Sequence, residues 1–231
     1  VGRQKGVCAS TAAREASAAA DSAARCIAEA VGTTDLPDGT PVVVFNPSPA
    51  STSDMVEIGL SGSRPTAGIE VYWAGGLREP AHVELTPAPR VRFRAALAGL
   101  GYRTGVLRRA GRLPAVSTFS EPLRVEGSGY SAVVNPDGTF ASLAVEPGGG
   151  ELLAPGWPGN TLSACTPDGR PLEPAVDGPA TLVESELCRV VSVRGSLGPR
   201  VRTQTEIRFT RGARRVDVRL LLAFDEAAIG D

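Results

Sequence analysis

Asp168, Arg170 and Asp177 lie close together in one polar, Pro-rich stretch. Two carboxylates on a loop can accept hydrogen bonds from sugar hydroxyls, or flank a glycosidic bond as acid and nucleophile. The competing reading is a solvated loop in which Asp and Gly make turns. Trp157, in Pro155-Gly156-Trp157-Pro158, is the second candidate, because a loop indole can stack on a sugar ring. Trp73 falls on a predicted strand, where core packing is the plainer role. His82 is the only histidine; it could act as a general base, but it falls on a predicted strand with no obvious acidic partner in sequence, so a structural role is expected and no Ser-His-Asp triad is proposed. Cys8, Cys26, Cys165 and Cys188 include no Cys-x-x-Cys pair, which with a single histidine leaves too few ligands for zinc. Scattered cysteines fit free thiols in a reducing, cytoplasmic setting. Gly148-Gly149-Gly150 lacks the strand and helix that a phosphate loop needs. The residues thus nominate Trp157, Asp168, Arg170 and Asp177 for substrate binding, no catalytic residue and no metal ligand.

Composition narrows the partners. The 231 residues carry a net charge of -1, with 42% hydrophobic and 21% charged residues. That balance gives no electrostatic case for nucleic acid or an anionic membrane. The basic residues are nearly all arginine, Lys5 being the only lysine. With the Ala, Gly and Pro content this reads as coding bias rather than phosphate binding. No apolar run approaches the roughly 20 residues of a membrane helix, and residues 1–10 have no signal-peptide core.

The elements that must position the candidates are mostly strands. Residues 10–31 predict one helix, with Ser10 as N-cap and Gly32 as stop. Ala12, Ala16, Ala19, Ala23, Ile27 and Ala30 share a face, small enough to pack closely against helices outside this chain or else along the β domain. A linker covers 32–41. Short alternating runs follow at Met55–Leu60, Ile69–Trp73, His82–Leu85, Arg90–Leu97 and Tyr102–Leu107, which predict a small β-sandwich over 41–116. A second β domain begins near residue 117. Asn135-Pro136-Asp137-Gly138 is its strongest hairpin signal. Thr181–Arg194, Val201–Phe209 and Arg214–Phe224 are expected as long strands, the second with Arg202, Gln204, Glu206 and Arg208 on a solvated face.

Several segments, taken in order, resemble family 38 glycoside hydrolases, the retaining α-mannosidases. They are Pro41-Val42-Val43-Val44-Phe45-Asn46-Pro47-Ser48-Pro49 after the helix, Phe93–Leu97 with Gly99-Leu100-Gly101-Tyr102-Arg103-Thr104, and Asn135–Leu143. Gly149-Gly150-Glu151-Leu152-Leu153, Gly159-Asn160-Thr161-Leu162, Val183–Arg189 and Arg214–Val218 complete the set. The resemblance implies one helix from a helical domain (1–40), a small β-sandwich (41–116) and an incomplete, antiparallel, galactose-mutarotase-like supersandwich (117–231). It also implies that the nucleophile and most zinc ligands belong to an N-terminal catalytic barrel missing from this chain. One family ligand histidine precedes the helix, where this chain has Arg3-Gln4, and arginine has no lone pair to offer a metal. A tryptophan-rich family segment is replaced by Leu172–Asp177. The Asp168–Asp177 loop is where that family faces its sugar.

The combined expectation is an accessory β region of an α-mannosidase-type retaining hydrolase, with zinc in the parent enzyme and none held here. An α-mannoside is the expected carbohydrate partner. The alternative is a stand-alone, non-catalytic carbohydrate-binding or structural β module. The strand Arg214–Phe224 ends the sequence pattern with an open edge, so a partner edge is expected, in a homo-oligomer or in further sequence.

Overall fold

The computed structural model describes residues 2–33, 35–60, 67–84, 89–110 and 114–224. The chain is mainly β behind one N-terminal helix, with several antiparallel sheets, one of them strongly curled into a half-barrel. It divides into two compact units, Val1–Leu113 and Pro114–Asp231. The boundary falls slightly before the expected 116/117, because β7 (Ala115–Phe119) pairs along a strand of the second unit.

In the first unit, helix α1 spans Gly2–Ala30. It starts well before Ser10, which therefore lies inside the helix rather than at its N-cap. Its last turn closes with the Val31 N–H donating to the Ile27 carbonyl (3.1 Å), just before Gly32. Within this chain the described residues of the expected apolar face are largely uncovered. Ala16, Ala19, Ala23 and Ala30 are exposed and Ile27 is half-buried. Small alanine side chains bury too little area to hold a helix against a sheet.

Six strands follow: β1 (Thr40–Phe45), β2 (Thr52–Gly59), β3 (Gly68–Trp73), β4 (Arg78–Glu84), β5 (Arg90–Leu97) and β6 (Tyr102–Ala110). They form one antiparallel sheet in the order β1-β6-β3-β4-β5-β2. A flat sheet would hold its edges β1 and β2 roughly 24 Å apart, five spacings of about 4.8 Å. Yet Val42 and Val44 from one edge share a core with Val56 and Ile58 from the other, around Val71, Trp73, Val91 and Phe93. The sheet must curl over its own side chains. Trp73 and Phe93 meet edge to face at 5.7 Å, both fully buried. The sandwich-like packing expected here thus comes from one continuous ladder rather than two separate sheets.

The second unit is a two-layer arrangement. One layer is β8 (Leu123–Gly127), β9 (Tyr130–Val134) and β10 (Phe140–Val145), in the order β10-β9-β8. The other is β14 (Ala180–Glu184), β15 (Cys188–Leu197), β16 (Val201–Thr210) and β17 (Val216–Phe224), with β7 on the far side of β14. Val125, Ala132, Val134 and Phe140 of the first layer pack on Leu182, Val191, Val193, Ile207 and Phe209 of the second. A two-stranded ribbon, β11 (Ala164–Cys165) with β12 (Pro171–Leu172), and the short β13 (Pro174–Val176) complete the unit. β13 pairs with Gly195–Leu197 of β15, beyond the stretch that β14 uses. Gly195 has no alternative there, since a Cβ would sit 2.1 Å from the Ala175 carbonyl oxygen.

Two expectations are corrected. Thr181–Arg194 is not one strand but β14 and the start of β15. The turn at 185–187 is fastened by Ser185, whose hydroxyl accepts from the Cys188 N–H (3.1 Å). The second face of β16 is not solvated along its length: Glu206 and Arg208 are 4% and 5% exposed. They stand directly across the ladder from Arg219 and Asp217, so each buried charge faces its opposite.

Candidate functional site

The best-braced surface feature is built on the β9–β10 hairpin. Asn135–Thr139 turns it, with Gly138 at φ 83°, a conformation that L side chains avoid. The Asp137 carboxylate accepts from the Thr139 N–H (2.9 Å), and Asn135 Nδ2 donates to Thr139 Oγ1 (2.9 Å). The chain after β10 then returns along it as a strap, residues 149–162. Ala144 pairs with Glu151, and Phe140 exchanges two 2.9 Å hydrogen bonds with Gly159.

Two side chains fix the strap. Glu151 accepts from the N–H groups of Leu143 (2.8 Å) and Leu153 (3.1 Å) and from the Ser142 hydroxyl. The Ser142 bond, then those two N–H groups, hold its carboxyl below the usual carboxylate range. Asn160, left-handed at φ 59°, donates from Nδ2 to the Gly138 carbonyl (2.9 Å) at the hairpin tip. Between these anchors the strap turns at Ala154–Trp157, closed by the Trp157 N–H on the Ala154 carbonyl (3.0 Å). Trp157 is 76% exposed at that turn.

The other nominated residues are not gathered around it. Asp168 and Arg170 meet each other at 2.9 Å on the β11–β12 turn, where Gly169 has φ 83° and the Thr166 hydroxyl also donates to Asp168. Both side chains are largely exposed, and their ion pair spans the turn. Asp177 is tied elsewhere, its carboxylate to Arg202 of β16 (3.3 Å) and its N–H to the Arg194 carbonyl (2.8 Å). The nominated set therefore reduces to one exposed indole on a braced loop, one self-neutralised turn pair and one strand-edge ion pair. His82 is buried at 2% on β4, opposite Arg92, a placement inside a sheet rather than in a cleft.

Two concave surfaces went unforeseen. In the first unit a cleft of about 540 Å³ is walled by Asp35, Leu36 and Pro37 and floored by Tyr72. The Arg78 and Arg108 guanidinium carbons lie 5.8 and 5.4 Å from the Tyr72 ring centre, and Arg108 pairs with Glu70 at 2.7 Å. In the second unit a cleft of about 330 Å³ lies between the β8–β9 turn and the β16–β17 turn, against Tyr130, Arg189 and Arg211. Only the strand register brings these residues together, so no sequence spacing announces them. Among the described residues, Asp35 is the only carboxylate lining the first cleft and Glu126 the only one lining the second. Among the described residues neither cleft shows the facing pair that glycoside hydrolysis uses. Among the described residues no group of three or more His, Cys, Asp and Glu is placed to hold a metal ion. No family model matches the chain, and no curated protein matches it.

Proposed function

We propose that the chain is a non-catalytic β region that accompanies carbohydrate chemistry, the accessory portion of an α-mannosidase-type retaining glycoside hydrolase. One observation carries this reading. Three separate stretches that resemble that family, Asn135–Leu143, Gly149–Leu153 and Gly159–Leu162, converge on a single construction, the hairpin and its returning strap. Glu151 and Asn160, which lie in the resembling stretches, hold the strap by side-chain hydrogen bonds to backbone.

The stand-alone carbohydrate-binding module is the second reading, favoured by Trp157. An indole at 76% exposure on a loop braced at both ends is a ready stacking platform. In both readings the chain itself cleaves nothing; in the first, zinc belongs to the parent enzyme.

Incubation with an aryl α-mannoside, with and without zinc, tests the first claim: no aglycone should be released. Zinc-dependent release lost on His82→Ala would overturn the accessory reading. Titration with α-mannosides, followed by tryptophan fluorescence, separates the two readings. Saturable quenching abolished by Trp157→Ala supports the binding module. An unchanged signal, with a zinc-binding barrel encoded upstream in the same reading frame, supports the accessory region.

A further inference from the structure

The cleft at Tyr72 is assembled on the outer face of the first sheet. Strand register sets Arg78 of β4 directly across from Tyr72 of β3, and Arg108 of β6 directly across from Glu70. Glu70 and Tyr72 are two residues apart, so all four side chains stand on one face, opposite to buried Val71 and Trp73. The linker before β1 forms the wall. It lies tightly on β6 at Gly39, where a Cβ would be 2.7 Å from the Leu107 carbonyl oxygen. Its turn is closed by the Leu36 N–H on the Thr33 carbonyl (3.2 Å). The charges along the cleft are unevenly matched. Glu70 accepts from Nε of Arg108 at 2.7 Å, which leaves the terminal N–H groups of that guanidinium. Arg78 lies against the Tyr72 ring, and among the described residues no carboxylate pairs with it. The Asp35 carboxylate likewise has no hydrogen-bond partner among the described residues.

We infer that this cleft binds an acidic sugar, a pyranose ring bearing one carboxylate. The carboxylate sits on the planar fork of Arg78, whose paired N–H groups match its two oxygens. The terminal N–H groups of Arg108 donate to ring hydroxyls, and Asp35 accepts from another. The apolar C–H face of the ring rests on Tyr72, Leu36 and Pro37. A volume of about 540 Å³ falls in the range of small-molecule sites. Charge selects the class of ligand. One unpaired guanidinium calls for one negative charge, while the Asp35 carboxylate opposes a second, which disfavours a phosphate dianion. A neutral sugar would gain nothing from the charge on Arg78. The inference rests on this cleft alone, not on the α-mannosidase reading, and Trp157 takes no part in it.

Isothermal titration of the full 231-residue chain with D-glucuronate, at neutral pH and low salt, tests it. Saturable binding is expected. D-Glucose should bind about tenfold more weakly or not at all, since it lacks the charge-assisted bond. Arg78→Met keeps a stem over Tyr72 but not the charge. It should weaken glucuronate by a similar factor and leave the far-ultraviolet spectrum unchanged. If that variant misfolds, Arg78→Lys keeps the charge without the fork and should still bind several-fold more weakly. Arg124→Met, at an exposed arginine of the second unit, controls for general charge attraction and should change nothing. Trp157→Ala should leave glucuronate binding unchanged, whereas the binding-module reading requires it to abolish quenching by α-mannosides, so the two ideas fail separately. The proposal is overturned if glucuronate does not bind, or if glucose or L-glutamate binds equally well. Tighter binding of inorganic phosphate, or a loss on Arg124→Met as large as on Arg78→Met, would also overturn it.

Discussion

Asn46 follows the last residue of β1 and is 4% exposed. Its Nδ2 donates to the carbonyls of Ala50 (2.8 Å) and Ala98 (2.9 Å), and its Oδ1 accepts from the Ser48 N–H (3.0 Å). The Asn-Pro-Ser-Pro run after the Val-Val-Val-Phe strand is therefore a turn locked by its first residue onto the β5–β6 connection, where Gly99 leaves no room for a Cβ (1.9 Å from the Pro49 oxygen). Asn46→Ala should destabilise the chain by about 2–3 kcal/mol, since buried partners lose their bonds; chemical denaturation measures it, and a loss below half that would show the turn to be self-sufficient.

Two titrating groups give opposite signs. Glu151 has a lowered folded pKa, so its contribution is full above the ordinary carboxylate range and fades as pH falls through the folded value. Glu151→Gln should flatten the acid limb of the stability curve. Burial, with Asp217 second, pushes the Tyr130 phenol above its usual 10.0, so stability is lost as pH rises from there through the raised value. Tyr130→Phe should flatten the alkaline limb. Stability profiles parallel to wild type would refute either assignment.

At the scale of elements, alternation identified most strands, because a half-buried sheet repeats every two residues whatever the topology. Arg90–Leu97 is the clear case, with Val91, Phe93, Ala95 and Leu97 buried and the intervening positions outward. The method failed where alternation ran on through a turn. Ser185-Glu186-Leu187 contains no Gly, Pro or Asn, and the break is held by the Ser185 hydroxyl together with the Ser185 N–H on the Cys188 carbonyl (2.9 Å). It also failed on the charged face of β16, where polar residues were read as solvated although Glu206 and Arg208 are buried opposite Arg219 and Asp217. Sequence shows charge, and only register shows that the charge is matched. The same limit applied to the site. Trp157 was visible as a loop indole and Asp168 as a turn residue. The clefts at Tyr72 and Tyr130 depend on cross-strand neighbours far apart in sequence.

For the whole molecule, the two cores share no residue among those described. One draws on Val42 through Leu107, the other on residues from Phe119 onward. Each has its own fully buried members, Trp73 and Phe93 in the first and Val134, Val191 and Ile207 in the second. Cooperativity follows a shared core, so two cores imply two cooperative blocks rather than one. Scanning calorimetry should then give a calorimetric enthalpy larger than the van't Hoff value. Asn46→Ala supplies the sharper readout, since all its hydrogen bonds lie in the first unit. It should lower the transition of Val1–Leu113 by several degrees and leave that of Pro114–Asp231 in place. One transition with matching enthalpies, displaced as a whole by Asn46→Ala, would mean that the two units unfold as one.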